Sequence, residues 1–85
     1  MNSIAQQAVP TPAERVQMAN SRATILAAAI EEFTVRGLDG ARVDDIAERS
    51  GVNKRMIYYY FGDKEGLYLA VLEEAYRGIR AIEAE

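Results

Sequence analysis

Between residues 44 and 61, the apolar and polar positions are spaced as in two short helices joined by a tight turn. Ile46 and Ala47 form an apolar pair, and Gly51 follows Ala47 by four residues, where it can take the positive φ that ends a helix. Ala47 allows the two helices to cross closely, and Ile57 fills the gap between them. This pattern predicts a helix-turn-helix, an arrangement in which the second helix presents its outer face to the major groove of DNA.

The second helix of this unit is predicted over residues 54–61, with Asn53 as its N-cap. It contains four consecutive aromatic residues, which cannot all face the core because successive helical residues turn by about 100°. The inward face is predicted to consist of Ile57, Tyr60 and Phe61. Tyr58 and Tyr59 then point outward or to the flank.

The segment before this unit predicts a long first helix. Thr11, Pro12 and Glu14 are spaced as an N-cap, a first helical residue and the second partner of a capping box. A start near Ser21 is the alternative, because the helical pattern is weak just before it. The inward stripe is predicted to be Leu26, Ala29, Ile30 and Phe33. Gly37 is predicted to end the helix.

The turns before and after the helix-turn-helix predict where its first helix and the following fourth helix begin. The first short helix is predicted to begin near Ala41 or Arg42, and Asp44 is expected to reach back to a free amide because Ala41 cannot cap. Asp63 is predicted to cap a fourth helix that begins at Lys64. Its apolar side is predicted to contain Leu67, Val71, Leu72, Ala75 and Ile79, extended by Tyr68 and Tyr76. Apolar residues still recur at helical spacing near the last residue, which favours a longer protein.

Together these elements predict an all-α fold: a three-helix bundle with a homeodomain-like helix-turn-helix, plus the start of a fourth, linking helix. Residues 1–20 are interpreted as a flexible N-terminal arm or helix extension. Residues 21–63 are interpreted as the helix-turn-helix domain, and residues 64–85 as the fourth helix, after which more protein is expected.

Composition limits the chain to one small domain and excludes several kinds of site. The chain has 85 residues, and its hydrophobic fraction of 49% is that of a globular protein. The absence of cysteine and histidine excludes disulfides, thiolate metal sites and the commonest general base. We therefore predict no catalytic, cofactor-binding or metal-binding residues in this segment and no enzyme activity. Without a signal-peptide pattern or an apolar run of about 20 residues, a soluble cytoplasmic protein with no membrane partner is expected.

The net charge of −3 argues mildly against binding to nucleic acid, but the positions of the charges matter more than their sum. Within residues 53–64, the cations Lys54, Arg55 and Lys64 are accompanied by one acidic residue, Asp63. After this stretch, acidic residues outnumber basic ones. The acidic charge is therefore concentrated away from the predicted recognition helix.

The candidates for contact with double-stranded DNA are Arg42, Asn53, Lys54, Arg55, Met56, Tyr58, Tyr59, Tyr60 and Lys64. The two cations at the start of the recognition helix can pair with guanine O6 and N7, whereas the helix dipole slightly disfavours them there. The two outward tyrosines can donate to phosphates or touch thymine methyl groups. Arg42 and Lys64 begin helices whose amides attract phosphate. For Met56 and Tyr60, packing within the fold is an equal alternative.

Two stretches carry a family resemblance. The first runs from Ile25-Leu26-Ala27-Ala28-Ala29 to Phe33 and Gly37, and the second joins residues 57–61 (IYYYF) to residues 63–67 (DKEGL). In these features the chain resembles the DNA-binding domain of TetR-family transcriptional repressors over residues 22–72. The resemblance implies a prokaryotic, nucleoid-associated repressor that binds a palindromic operator as a homodimer. It also implies a larger C-terminal helical domain that dimerises and binds a small-molecule effector, so this segment alone is expected to be monomeric.

The resemblance also implies roles for individual residues. Base contacts are implied for Lys54, Arg55, Met56 and Tyr58, and phosphate contacts for Tyr59, Tyr60 and Lys64, with Arg42 at the start of the second helix. The family usually has Thr or Ser around Ala41 and Arg42, so the phosphate contact of that hydroxyl must come from Arg42 or be absent. The family often has Ser or Thr where Asn53 stands, and Asn can cap equally well.

The competing hypothesis is a helix-turn-helix used as a protein-interaction module, without sequence-specific DNA binding. In this case the tyrosine run would anchor a partner protein. The acidic total and the open apolar edge of the fourth helix favour this alternative. Preference for one operator over scrambled DNA would exclude it as the main role.

Overall fold

The computed structural model describes residues 9–84, and the side chains of residues 9–80. Residues 1–8, the first part of the predicted arm, lie outside this range, as does residue 85. The described chain forms four helices: α1 (Pro12–Gly40), α2 (Val43–Ser50), α3 (Lys54–Phe61) and α4 (Lys64–Ala84). The predicted all-α fold is confirmed. No helix within residues 9–84 is long and apolar enough to cross a membrane.

Helix α1 begins at the earlier of the two predicted starts. The Thr11 Oγ1 atom accepts from the Glu14 amide at 3.1 Å, and the Glu14 carboxylate accepts from the Thr11 amide at 2.8 Å. This capping box satisfies two backbone donors, which would otherwise be unpaired at the helix start. Gly37 was predicted to end this helix; it does leave the helical conformation, with φ 72° and ψ 176°, but α1 continues beyond this kink to Gly40.

The core lies where α1 meets the other three helices. Its buried apolar residues are Ile25, Leu26, Ala28, Ala29, Phe33, Ala41, Val43, Ile46, Ile57 and Leu67. The predicted stripe on α1 was wrong in one position, because Ile30 is exposed whereas Glu32 is fully buried. The buried face follows positions 25, 28, 29 and 32, since α1 packs against both α2 and α4.

The helix-turn-helix closes as its pattern predicts. Gly51 adopts the left-handed conformation, with φ 73° and ψ 9°, and its amide donates to the Ala47 carbonyl at 2.9 Å. Ile46 and Ile57 are fully buried between the two helices, and Val52 packs in the turn against the core. These contacts fix the direction in which α3 projects from the bundle.

Helix α4 is anchored at its N-terminal end. The Asp63 carboxylate accepts from the Gly66 amide at 2.7 Å, which confirms the predicted cap. Leu67 is buried, and the Tyr68 ring meets the Phe33 ring edge to face, with the centroids 5.1 Å apart. Further along α4, Ala70 and Val71 pack partly against the core, whereas Leu69, Leu72, Tyr76 and Ile79 are exposed. Tyr76, which was predicted to extend the apolar side of this helix, is 66% exposed and does not reach the core.

Candidate nucleic-acid interface

Helix α3 has a buried inner face and an exposed outer face. Ile57 is 1% exposed, and Tyr60 and Phe61 are half-buried against the core. Tyr58 and Tyr59 are exposed, with Tyr59 at 69%. The predicted division of the aromatic run between the two faces is confirmed. The outer tyrosines therefore present their hydroxyl groups to solvent, while the Tyr59 ring also meets the Tyr60 ring edge to face, with the centroids 5.4 Å apart.

Asn53 caps α3 as predicted. Its Oδ1 atom accepts from the Met56 amide at 2.9 Å, while its backbone is extended, with φ −69° and ψ 157°. The side-chain oxygen is therefore committed to the helix start, and a contact of Asn53 with DNA remains a prediction. Met56 is half-buried.

The cap is expected to contribute measurably to stability. Replacing Asn53 with alanine should lower the free energy of unfolding by about 1 kcal/mol, because the Met56 amide loses its acceptor. Replacement with serine should restore most of this loss, since serine also caps. Urea unfolding followed by circular dichroism would measure both variants. Equal stability of the alanine variant and the wild type would contradict the capping role.

Three charged side chains form the Asp44 cluster, which we define as Arg42, Asp44 and Lys54. The Lys54 ammonium lies 2.8 Å from the Asp44 carboxylate, and the Arg42 guanidinium lies 3.6 Å from it. The hydrogen bond from Lys54 lowers the pKa of the Asp44 carboxyl below its ordinary value, and the same bond raises the pKa of Lys54. The pair is therefore fully charged at neutral pH. It joins the start of α2 to the start of α3.

The expected capping role of Asp44 was wrong, because its carboxylate is turned towards these two cations. Helix α2 begins at Val43 with Arg42 as its N-cap residue. The Arg42 amide instead donates to the Glu32 carboxylate of α1, at 3.3 Å. A residue that is distant in sequence thus supplies the acceptor that the local sequence lacks.

Glu32 is a positioning residue that sequence reasoning missed. Its side chain is fully buried, and its carboxylate also pairs with Arg36 and Arg49, each at 3.2 Å. It therefore binds the start of α2 through Arg42 and the end of α2 through Arg49. The available signals were the spacing of Glu32 and Arg36, four residues apart on one helix, and the position of Glu32 on the buried face.

Lys64 was predicted to bind phosphate, but in this structure it bonds within the fold. Its ammonium donates to the carbonyls of Ala41, at 3.2 Å, and Asp39, at 3.4 Å. The side chain is half-buried and connects the start of α4 to the C-terminal end of α1. The phosphate contact remains a prediction, and the contacts of Lys64 indicate a positioning role.

Arg55 differs from the other cations of the interface. It is exposed at the start of α3, and none of the ion pairs or side-chain hydrogen bonds among the described residues includes it. Arg22 lies at the opposite end of α3, with its guanidinium 5.3 Å from the Phe61 ring centroid. The outer surface of α3 therefore carries an uncommitted guanidinium beside two exposed tyrosines.

Comparison with known proteins matches this region to one family. The sequence model of the family described as bacterial regulatory proteins, tetR family, matches residues 25–71. The chain is 43% identical over 72 residues to the HTH-type transcriptional repressor NicS of Pseudomonas putida, which covers 84% of this chain and 34% of NicS. It is 41% identical over 70 residues to the HTH-type transcriptional regulator RutR of Escherichia coli K12, which covers 81% of this chain and 33% of RutR.

A solved structure is similar over the same region. The crystal structure of HlyIIR, a hemolysin II transcriptional regulator, superposes with a TM-score of 0.64 and 38% sequence identity. The match covers 66% of this chain and 31% of HlyIIR. The chain therefore spans about a third of the length of the relatives it matches.

Proposed function

This chain belongs to the tetR family of bacterial regulatory proteins, and on that premise we propose that it binds operator DNA and regulates transcription, as a repressor. The observation that carries the proposal is the outer face of α3. There Arg55, Tyr58 and Tyr59 are exposed, while the opposite face of the helix is buried in the bundle. A recognition helix requires this division between a packed face and a free face.

The dimensions and chemistry of α3 suit the major groove. The helix has 8 residues, and an α-helix with its side chains is about 10–12 Å across, which fits a major groove about 12 Å wide. The Arg55 guanidinium can donate to guanine O6 and N7 as a bidentate pair. The tyrosine hydroxyls can donate to phosphate oxygens, and the rings can touch thymine methyl groups. We propose a base contact for Lys54, at the start of α3, and a phosphate contact for Arg42, the N-cap residue of α2.

The remaining parts of the proposal concern the whole protein. We propose that two copies bind the two halves of a palindromic operator, since one copy of α3 reads one half-site. Dimerisation and binding of a small-molecule effector would reside in the part of the relatives that this chain does not span. Binding to chromosomal DNA places the proposed action in the bacterial cytoplasm. The relatives are named as regulators of transcription, which disfavours an enzyme.

The protein-interaction alternative is less well supported. The exposed apolar residues that would favour a protein contact, including Leu69, Tyr76 and Ile79, lie on α4. The outer face of α3 instead carries a guanidinium and tyrosine hydroxyls, which are donors that bind base edges and phosphates. A protein contact on α4 is therefore compatible with DNA binding by α3.

The decisive experiment compares two arginine variants that have the same change in charge. Arg55→Ala should lower affinity for a selected operator about 10-fold or more, because a bidentate base contact is lost. Arg77→Ala is the matched control, since Arg77 is exposed on α4 and its one ion pair among residues 9–80 is with Glu74, at 3.1 Å. Fluorescence anisotropy would be recorded with operator and scrambled duplexes at two salt concentrations.

The outcomes separate the two hypotheses. Salt-dependent binding that prefers the operator, and that Arg55→Ala weakens much more than Arg77→Ala, supports the proposed function. Equal binding to operator and scrambled duplex, by the chain and by a covalently joined dimer of it, contradicts sequence-specific recognition. The joined dimer is included because two linked half-site contacts raise the effective affinity.

A further inference from the structure

A carboxylate stands among the cations of the proposed DNA-binding surface. The Asp44 side chain is 53% exposed, so the cluster that it forms with Arg42 and Lys54 faces solvent. A free carboxylate near the phosphate backbone would be repelled by it, and this one also occupies two cations that could bind phosphate. The position of Asp44 therefore opposes general affinity for DNA.

Stability of the fold does not account for this arrangement. Exposed ion pairs contribute little to folding, because water and salt screen them. A carboxylate in the first turn of α2 suits the helix dipole, but Asp45 occupies the same turn and supplies the same charge. None of the ion pairs among the described residues includes Asp45. What distinguishes Asp44 is its contact with the two cations.

We propose that Asp44 is a specificity-determining residue that restrains Lys54 and Arg42 from binding phosphates in non-specific complexes. This inference rests on the proposed function. Non-specific binding arises almost entirely from contacts between cations and phosphates, so holding two cations on a carboxylate weakens it directly. Discrimination improves when contacts to the wrong partner are made unfavourable.

The restraint affects operator binding less. Lys54 has three N–H donors, and its bond to Asp44 leaves two of them available. At the start of α3, these donors can reach an acceptor on a base edge while the bond to Asp44 is kept. For Lys54 to move to a phosphate in a non-specific complex, its bond to Asp44 must break. Asp44 thus acts as a positioning residue for Lys54.

The test is Asp44→Asn, with Asp45→Asn as the matched control for net charge. Asp44→Asn should raise affinity for scrambled duplex about 3- to 10-fold at low salt, and should steepen the slope of log K against log salt by about 1 for each cation released. Operator affinity should change less than 2-fold, so the ratio of specific to non-specific affinity falls. Asp45→Asn should leave the salt slope unchanged, and urea unfolding would show that both variants fold.

A double-mutant cycle identifies the cation involved. In a Lys54→Met background, Asp44→Asn should lose most of its effect on scrambled duplex, because the main cation it would release is absent. The inference is overturned if Asp44→Asn and Asp45→Asn raise affinity for scrambled duplex equally. It is also overturned if the wild type prefers the operator and Asp44→Asn leaves its ratio of operator affinity to scrambled-duplex affinity unchanged. A wild type that binds operator and scrambled duplex alike overturns the proposed function and this inference together.

Discussion

Replacing Ile57 with alanine is expected to lower the free energy of unfolding by about 3 kcal/mol. Ile57 is 1% exposed and lies between α3 and the rest of the core, where Ile46 is also fully buried. Truncation removes apolar surface from the core and leaves a cavity that the small bundle can fill only partly. For a chain of this size, whose stability is roughly 5–10 kcal/mol in total, the loss is a large fraction.

Ile79→Ala is the control that makes the same chemical change. Ile79 is 51% exposed on α4, so its truncation should alter stability by no more than about 0.5 kcal/mol. Urea unfolding of both variants, analysed with a common m-value, would measure the difference. Similar midpoints for the two variants would contradict the packing that holds α3. DNA affinity of Ile57→Ala should fall wherever the unfolded fraction becomes appreciable, since α3 is then not held in place.

Features set by residues close in sequence could be predicted. The capping residues Thr11, Asn53 and Asp63 all bond to amides three residues further on, within one turn of helix. The division of α3 between inner and outer faces follows from the helical repeat alone. The turn at Gly51 follows from backbone freedom at one position. From these local features, the position of the helix-turn-helix and the outward direction of Tyr58 and Tyr59 could be predicted.

Features set by distant partners could not be predicted. Lys64 was expected at the DNA because helix starts attract phosphate, but its donors reach the carbonyl of Ala41, 23 residues away. Asp44 was expected to cap its own helix, but it pairs with Lys54 across the turn. A sequence pattern gives the face on which a side chain lies, whereas the bond it makes depends on how the helices cross. The candidate site was therefore predicted as a set of residues, without its internal ion pairs.

Glu32 shows the same limit most clearly. A charged residue on the buried face of α1 contradicts the apolar pattern, so the stripe was placed on Ile30 instead. Burial of this carboxylate depends on the Arg36 and Arg49 side chains and on the Arg42 amide, all of which reach it in the folded structure. A buried charge is tolerated when it is paired and hydrogen-bonded in this way.

Glu32→Ala is therefore expected to lower the free energy of unfolding by about 3 kcal/mol, with a cavity and an unpaired Arg42 amide as the causes. The loss of the ion pairs with Arg36 and Arg49 adds less to this destabilisation, because each arginine is about half exposed and its guanidinium can rotate towards solvent. Glu31→Ala is the matched control: Glu31 is exposed and shares Arg49 at 3.3 Å, so its removal should change stability by about 0.5 kcal/mol or less. Urea unfolding would compare the two variants.

A third variant separates the cavity from the charge. Glu32→Leu fills the space with apolar volume but still leaves the Arg42 amide unpaired, so it should recover about half of the loss. Because Glu32 binds both ends of α2, and α2 holds α3, operator affinity should fall in parallel with stability. It should be highest for Glu31→Ala, lower for Glu32→Leu and lowest for Glu32→Ala. Equal stability of Glu31→Ala and Glu32→Ala would contradict this role. It would show that α2 is held by apolar packing alone, and that the buried carboxylate does not position the recognition helix.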